Sequence, residues 1–355
     1  MKKIGIVTFN DNNNYGNRLQ NYATNVIYSK LGFRCETIEN IANSKSAKYK
    51  IKHYMKLLFR KRYKHFIEFN RNIKFSSIKI DNCKKINNSI KNKLNKRYDY
   101  FIVGSDQVWN SNLKRFNKFQ LLTFANPEKR IAFSASFGTN SIPDNNKQLF
   151  KQELDKFKRI SVRENEGKDI VEDLIDKKDV QVLIDPTMML SAKEWDKVAK
   201  KPSWYEGEKY ILCYFLGDVP DERLKEIERI ANENNYKIIS LLDKKSIHFL
   251  SGPCEFLFLE KNAELICTDS FHSCVFSIIY DRPFVVFDRC DGNVSMNSRL
   301  DTLLSKFKLE DRKVTGKIYN ELLQCDYSQA KEILEIEQKK SMNFLKEALD
   351  IEVKK

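Results

Sequence analysis

The sequence predicts an α/β protein built as two Rossmann-like domains facing a cleft. Three observations carry this. Short apolar runs recur at regular spacing with helical patterns between them. The runs fall into two series, joined near residues 186–205. Polar clusters sit where several runs end. The first series is KIGIVTF (3–9), FRCETIE (33–39), YDYFIVGS (98–105), RIAFSAS (130–136), RISVRE (159–164) and VQVLID (180–185). The second is KYILCYFL (209–216), YKIISLL (236–242), ELICTDS (264–270) and PFVVFD (283–288). Between the first two strands, Leu19, Tyr22, Ala23, Val26, Ile27 and Leu31 repeat at helical spacing, which gives the β–loop–α–β opening of a doubly wound sheet. ERLKEIERIANENN (222–235) is the matching helix of the second series.

The boundaries follow. Residues 1–190 form an N-terminal domain and 191–326 a C-terminal one. Residues 327–355 are a final helix with no strand after it, expected to pack across both. Hydrophobic residues make up 41% of the chain, enough for two cores. No apolar run approaches the roughly 18–20 residues of a membrane span. MKKIGIVTFN is too poor in apolar residues for a signal peptide and reads as the first strand. The eight cysteines show no CxxC spacing, and several lie inside apolar runs. This fits a reduced, cytoplasmic protein without structural zinc. No GxGxxG follows the first strand, so a dinucleotide site is not expected.

The formal charge of +15 is local. Residues 45–97 hold 18 Lys/Arg against two acids, Glu68 and Asp81, and the rest is near neutral. YKIKHYMKLLFRKRYKHFIEFNRNI places Ile51, Tyr54, Met55, Leu58, Phe59, Phe66 and Phe69 near one face, so 45–97 reads as a basic helical insert. Its partner could be an anionic membrane surface or a lipid-pyrophosphate-linked sugar. A solvated insert without a partner is the plain reading. Single-stranded nucleic acid is the weakest of the three, because nothing else resembles a nucleic-acid module.

In open α/β sheets, ligands bind beyond the C-terminal strand ends. Four clusters lie there: Asn12–Asn17, GSDQVWN (104–110), Arg163-Glu164 and Asp269–Ser273. Each also has a structural reading. Asn14, Tyr15, Gly16 and Asn17 could form a turn, and Asp106 could cap a helix. Arg163 could be half of an ion pair, and His272 a satisfied interdomain histidine. Trp109 belongs to the core. Together, however, an arginine fork, a histidine and a helix start make an anion site with a proton donor.

At these residues the chain resembles the polysaccharide pyruvyl transferase family. FIVGSDQVWN, ISVRE, LIDPT and CTDSFHSCVFSIIYDRPFVVF carry the resemblance. IGIVTFNDNNNYGNRLQNYA and MNSRLDTLLSKFKL (296–309) extend it to residues 3–310. It implies a fold similar to GT-B glycosyltransferases, phosphoenolpyruvate as donor, and a pyruvate ketal across two sugar hydroxyls as product. Arg163 and His272 match the residues that hold the donor anion, with Ser270, Phe271 and Ser273 beside them. Ser273 stands where the family usually has glycine, which could signal a shifted substrate. His272 is the candidate general acid. Asp106 and Asp269 are candidate bases, or Asp269 orients the histidine. The acceptor side would comprise Asn14, Tyr15, Gly16, Asn17, Gly104, Ser105, Asp106 and Gln107, and the acceptor would be a sugar or lipid-linked oligosaccharide. This route needs no metal and no further cofactor, and the chain has no DxD pair. The implied place is the cytoplasm, peripheral on the inner membrane face. The alternatives are a GT-B-like glycosyltransferase using a nucleotide sugar, or a non-catalytic binding protein.

Overall fold

The computed structural model describes residues 1–10, 14–40, 84–86, 91–177, 179–290 and 298–351. The first series becomes one sheet: β1 (Lys3–Val7), β2 (Arg34–Asn40), β3 (Lys84–Ile86), β4 (Tyr100–Val103), β5 (Arg130–Ala135), β6 (Arg159–Val162) and β7 (Gln181–Val182). Its strands run parallel in the order 3-2-1-4-5-6-7. The second series becomes a parallel sheet of β8 (Tyr210–Tyr214), β9 (Lys237–Ser240), β10 (Leu265–Thr268) and β11 (Phe284–Val286), in the order 11-10-8-9. A parallel sheet needs cover on both faces, which is why these strands read as unbroken apolar runs. β4, β5, β8 and β10 are buried along their whole length.

The helices are α1 (Tyr15–Lys30), α2 (Lys91–Arg97), α3 (Asp144–Leu154), α4 (Asn165–Leu174), α5 (Ala192–Asp196), α6 (Asp221–Asn234), α7 (Pro253–Asn262), α8 (Phe271–Tyr280), α9 (Ser298–Phe307) and α10 (Ser328–Ala348). Asn14 caps α1 by accepting from the Asn17 amide at 3.2 Å. All ten residues of α8 are buried, so this helix has no solvent face.

Each sheet reverses its strand order once, between β1 and β4 in the first and between β8 and β10 in the second. The crevices at these reversals are the binding places of such sheets. α1 brings the two together. Tyr15, at its start, stacks on Phe256 of α7 at 4.6 Å and donates to the Ser251 carbonyl at 2.9 Å. One apolar core therefore continues from β1 and β4 through α1 into α7, α8 and α10. α10 touches both sides: Phe344 stacks on Phe133 of β5, Gln338 donates to the Met188 carbonyl at 2.6 Å, and Tyr327 donates to the Arg282 carbonyl.

The basic segment differs from its sequence reading where it is described. Residues 45–83 and 87–90 lie outside the described residues. The remainder is a short strand and a short helix. Residues 84–86 form edge strand β3, paired with Ile38–Asn40. α2 buries Leu94 in the N-terminal core, and Asn95 donates to the Phe124 carbonyl at 2.6 Å. Among the described residues no helix is long and apolar enough to cross a membrane.

Candidate active site

The end of β6 places Arg163 in the crevice, where its amide donates to the Ala135 carbonyl at 3.1 Å. Its guanidinium is buried. Nη1 donates to Asp185 Oδ2 at 2.6 Å and to Ser105 Oγ at 3.2 Å, and the plane lies 4.1 Å over the Phe271 ring. Nε and Nη2 have no partner. Asp185 caps the turn Pro186–Met189: its Oδ1 accepts from the Thr187 amide at 2.9 Å and hydroxyl at 2.6 Å. Ser105 donates to Oδ2. A bulge in β5 at Ser134 aims this turn. Ser134 takes a left-handed φ of 50° and donates to the Ile184 carbonyl at 2.6 Å.

His272 comes from the other sheet, in the first turn of α8, with Nε2 3.7 Å from Asp185 Oδ2. Asp185 is thus shared between an arginine of the first domain and a histidine of the second. Burial alone would raise its carboxyl. His272, Arg163 and Ser105 outweigh burial and hold it well below the usual carboxylate range. On the other side of the imidazole stands Gly16. A Cβ there would lie 2.0 Å from His272 Nδ1, so only glycine lets the start of α1 approach the ring this closely.

Asp106 follows β4 with a φ of 57°, a conformation Asp tolerates better than most residues. Its Oδ1 accepts from the Gln107 amide at 2.8 Å. Oδ2 is buried without a hydrogen-bond partner, 3.9 Å from Arg115. Gln107, with its amide oxygen turned inward, accepts from Arg299 Nη1 and Nη2 at 3.1 and 2.8 Å. Arg299 opens α9 and is 8% exposed. Burial first, and then the nearby Arg163, lower its pKa to about 10, with Glu164 partly offsetting them.

Several expected site residues take other roles. Tyr15 is fully buried in the interdomain aromatic cluster and is unavailable to an acceptor. Gly104 serves the chain path: its φ is 134°, and a Cβ would meet the Phe133 carbonyl at 1.9 Å. Asp269 does not orient His272, a place that Asp185 holds. Its two oxygens accept from the Leu216 and Gly217 amides at 2.7 and 2.8 Å and fix the loop after β8. Ser270 occupies the N-cap position of α8, but its side chain caps nothing. Asn14 is the α1 cap, and Asn17 is buried in the first turn of α1. Ser273 is buried and donates to Glu260 of α7 at 2.5 Å. Burial pushes the Glu260 carboxyl well above the usual carboxylate range. Trp109 is core, as the sequence suggests; its indole N–H donates to the Gln120 carbonyl at 3.1 Å.

The structure therefore brings together Arg163, His272, Ser105, Asp106, Gln107, Gly16 and Phe271. It adds Asp185 and Arg299. Both lie in motifs already singled out, LIDPT and MNSRLDTLLSKFKL. Asp185 also shows a cap signature, an acid at a strand end before proline.

The profile of the polysaccharide pyruvyl transferase family matches residues 14–291. The chain belongs to that family. The match runs from the Asn14 cap past β11, so it takes in Gly16, Asp106, Arg163, Asp185 and His272. Among solved structures, this chain is similar to UDP-N-acetylglucosamine 2-epimerase from Rickettsia bellii. That likeness has 9% identity over 99% of this chain and 97% of that one, with a TM-score of 0.50. Heptosyltransferase WaaC from E. coli is 11% identical over 94% and 99% of the two chains, with a TM-score of 0.37. An uncharacterised protein from Klebsiella pneumoniae is 12% identical over 90% and 93%, with a TM-score of 0.47. The epimerase likeness shows the fold alone, the two-sheet GT-B-like arrangement. No curated protein matches the chain.

Proposed function

We propose that this family member transfers the enolpyruvyl unit of phosphoenolpyruvate to a sugar of a cell-surface polysaccharide precursor, forming a pyruvate ketal. The observation that carries the reading is the pairing of Arg163 and His272 across Asp185. Two unpartnered guanidinium nitrogens and an unpartnered imidazole nitrogen meet at one crevice. Buried donors without acceptors are costly, and an anionic substrate supplies the acceptors.

His272 donates a proton from Nε2 to C3 of the enol ether, which leaves C2 electrophilic. A sugar hydroxyl attacks C2 and gives its proton to Asp106 Oδ2, the unpartnered carboxylate oxygen nearby. The C2–O bond to phosphate breaks and inorganic phosphate departs with the proton held by Asp106; a second hydroxyl then attacks C2, closing the ketal and returning its proton to His272 Nε2. Arg163 holds one anionic end of the donor through Nε and Nη2. Asp185 keeps that fork in place and lies 3.7 Å from His272 Nε2. On this reading the basic charge of residues 45–97 attracts an acidic membrane surface carrying a lipid-linked acceptor. Flotation with acidic and neutral vesicles tests that part separately.

The donor test is thermal stabilisation of the full chain by phosphoenolpyruvate, with nucleotide sugars alongside and Arg163→Ala as control. A ligand at 100 times its Kd adds about 2.7 kcal/mol. A shift with phosphoenolpyruvate that disappears in Arg163→Ala supports the reading. A response to nucleotide sugars alone overturns it in favour of glycosyl transfer.

A further inference from the structure

We propose that Arg299 is the phosphate ligand of this site and selects donors that carry a phosphate. The inference rests on the donor reading above, but its test separates the two. The charges of the crevice are unevenly balanced. Arg163 already faces Asp185 at 2.6 Å, so that pair brings little net charge to a ligand. Asp185, Asp269 and Glu164 all accept from backbone amides: Thr187; Leu216 and Gly217; Phe137 and Gly138. Arg299 is different. Its side-chain partner is a neutral amide, Gln107, and among the described residues no carboxylate stands within 4.0 Å of it. Nε is buried without a partner, and so is the neighbouring Ser298 hydroxyl.

A guanidinium buried against a neutral partner is an expensive arrangement unless a counter-ion arrives. The head of α4 packs here against α9, with the Asn165 amide 3.5 Å from Thr302 Oγ1. It presents a positive end, which adds to the demand for an anion. Gln107 holds the fork flat and open. Gly138 (φ 63°) makes room for it, because a Cβ there would lie 2.8 Å from the Gln107 amide carbon. A planar fork with a fixed back and a free front suits a phosphate dianion. After burial, the like charge of Arg163 further disfavours the Arg299 cation, a cost that a bound anion would offset.

The experiment is thermal shift and calorimetric titration of the full chain, wild type against Arg299→Gln and Arg299→Lys. The probes are phosphoenolpyruvate, inorganic phosphate and UDP, at constant ionic strength in chloride. The expected result is phosphate-dependent binding that falls about 10- to 100-fold in Arg299→Gln, as for lost charge-assisted bonds. Arg299→Lys should recover part of it. The ligand-free Tm of Arg299→Gln should stay level or rise, since an unpaired buried charge is removed; a structural arginine would lower it. Phosphoenolpyruvate binding that is equal in wild type and Arg299→Gln overturns the inference and leaves the donor reading intact. UDP binding weakened by Arg299→Gln, with no response to phosphoenolpyruvate, supports Arg299 as a phosphate ligand and removes the donor reading. No wild-type response to any probe overturns the inference, as does a destabilised ligand-free Arg299→Gln.

Discussion

Replacing Gly16 by alanine should damage the protein through one contact, and removing the other half of that contact should undo the damage. The new Cβ would sit 2.0 Å from His272 Nδ1, 2.5 Å from Cγ and 2.7 Å from Cε1, so the ring has to move. Overpacking of this kind costs about 1–3 kcal/mol. Against it stands helix propensity, because alanine in a helix is better than glycine by up to about 1 kcal/mol. Net destabilisation of about 0–3 kcal/mol is expected, read as a lower urea midpoint with unchanged slope. Activity should fall further than stability, by about 10²–10⁴-fold, since the displaced imidazole is the proposed acid. In a His272→Ala background the ring is gone, and Gly16→Ala should become neutral or stabilising. The coupling across the cycle should reach about 1–3 kcal/mol. If Gly16→Ala costs the same with and without the imidazole, the crevice is not closed by this contact and the geometry argued here is wrong.

Further outcomes follow from the buried acids. Asp185→Asn leaves Arg163 buried without its counter-charge and should cost about 3–5 kcal/mol in chemical denaturation. Because the folded Asp185 carboxyl is depressed, its stabilisation is present above the unfolded carboxyl pKa of about 3.9 and fades as pH falls below that. The wild type should lose stability there, and the variant should lose less. Glu260 has the opposite sign: its folded carboxyl is raised, so stability declines as pH rises from about 4.3, by up to about 1.4 kcal/mol per pH unit. Glu260→Gln should flatten that decline and raise Tm at pH 8, whereas an unchanged pH profile would mean that Glu260 is ionised in the fold. Ser273→Gly should cost about 1–3 kcal/mol by stripping the Glu260 donor, yet leave phosphoenolpyruvate affinity unchanged. Altered donor affinity would return Ser273 to the donor site.

That last contrast shows where sequence reasoning stops. Ser273 lies next to His272 in the chain, so it reads as part of the same site. Neighbours on a helix point about 100° apart. His272 turns into the crevice, while Ser273 turns towards α7 and meets an acid thirteen residues upstream. Asp269 fails as a base for a similar reason, since its position at a strand end equally suits a loop anchor. Gly104 and Tyr15 were legible as special positions, but a glycine needed by a ligand and one needed by a carbonyl look alike in one dimension.

The sequence by itself determined the two strand series, the parallel sheets and the strand ends that carry polar groups. Those features are written in local period and in apolar runs, which any stretch of chain expresses without its partners. It also singled out Arg163 and His272 at the ends of apolar runs, and the structure sets both beside Asp185. Only the tertiary structure decided who meets whom. Gly16 and His272 are 256 positions apart, and Gln107 and Arg299 are 192 apart. Their contacts exist because α1 docks its first turn against the second sheet and α9 packs beside the head of α4. Such contacts depend on packing between elements, and packing selects among many pairings that local pattern leaves equal.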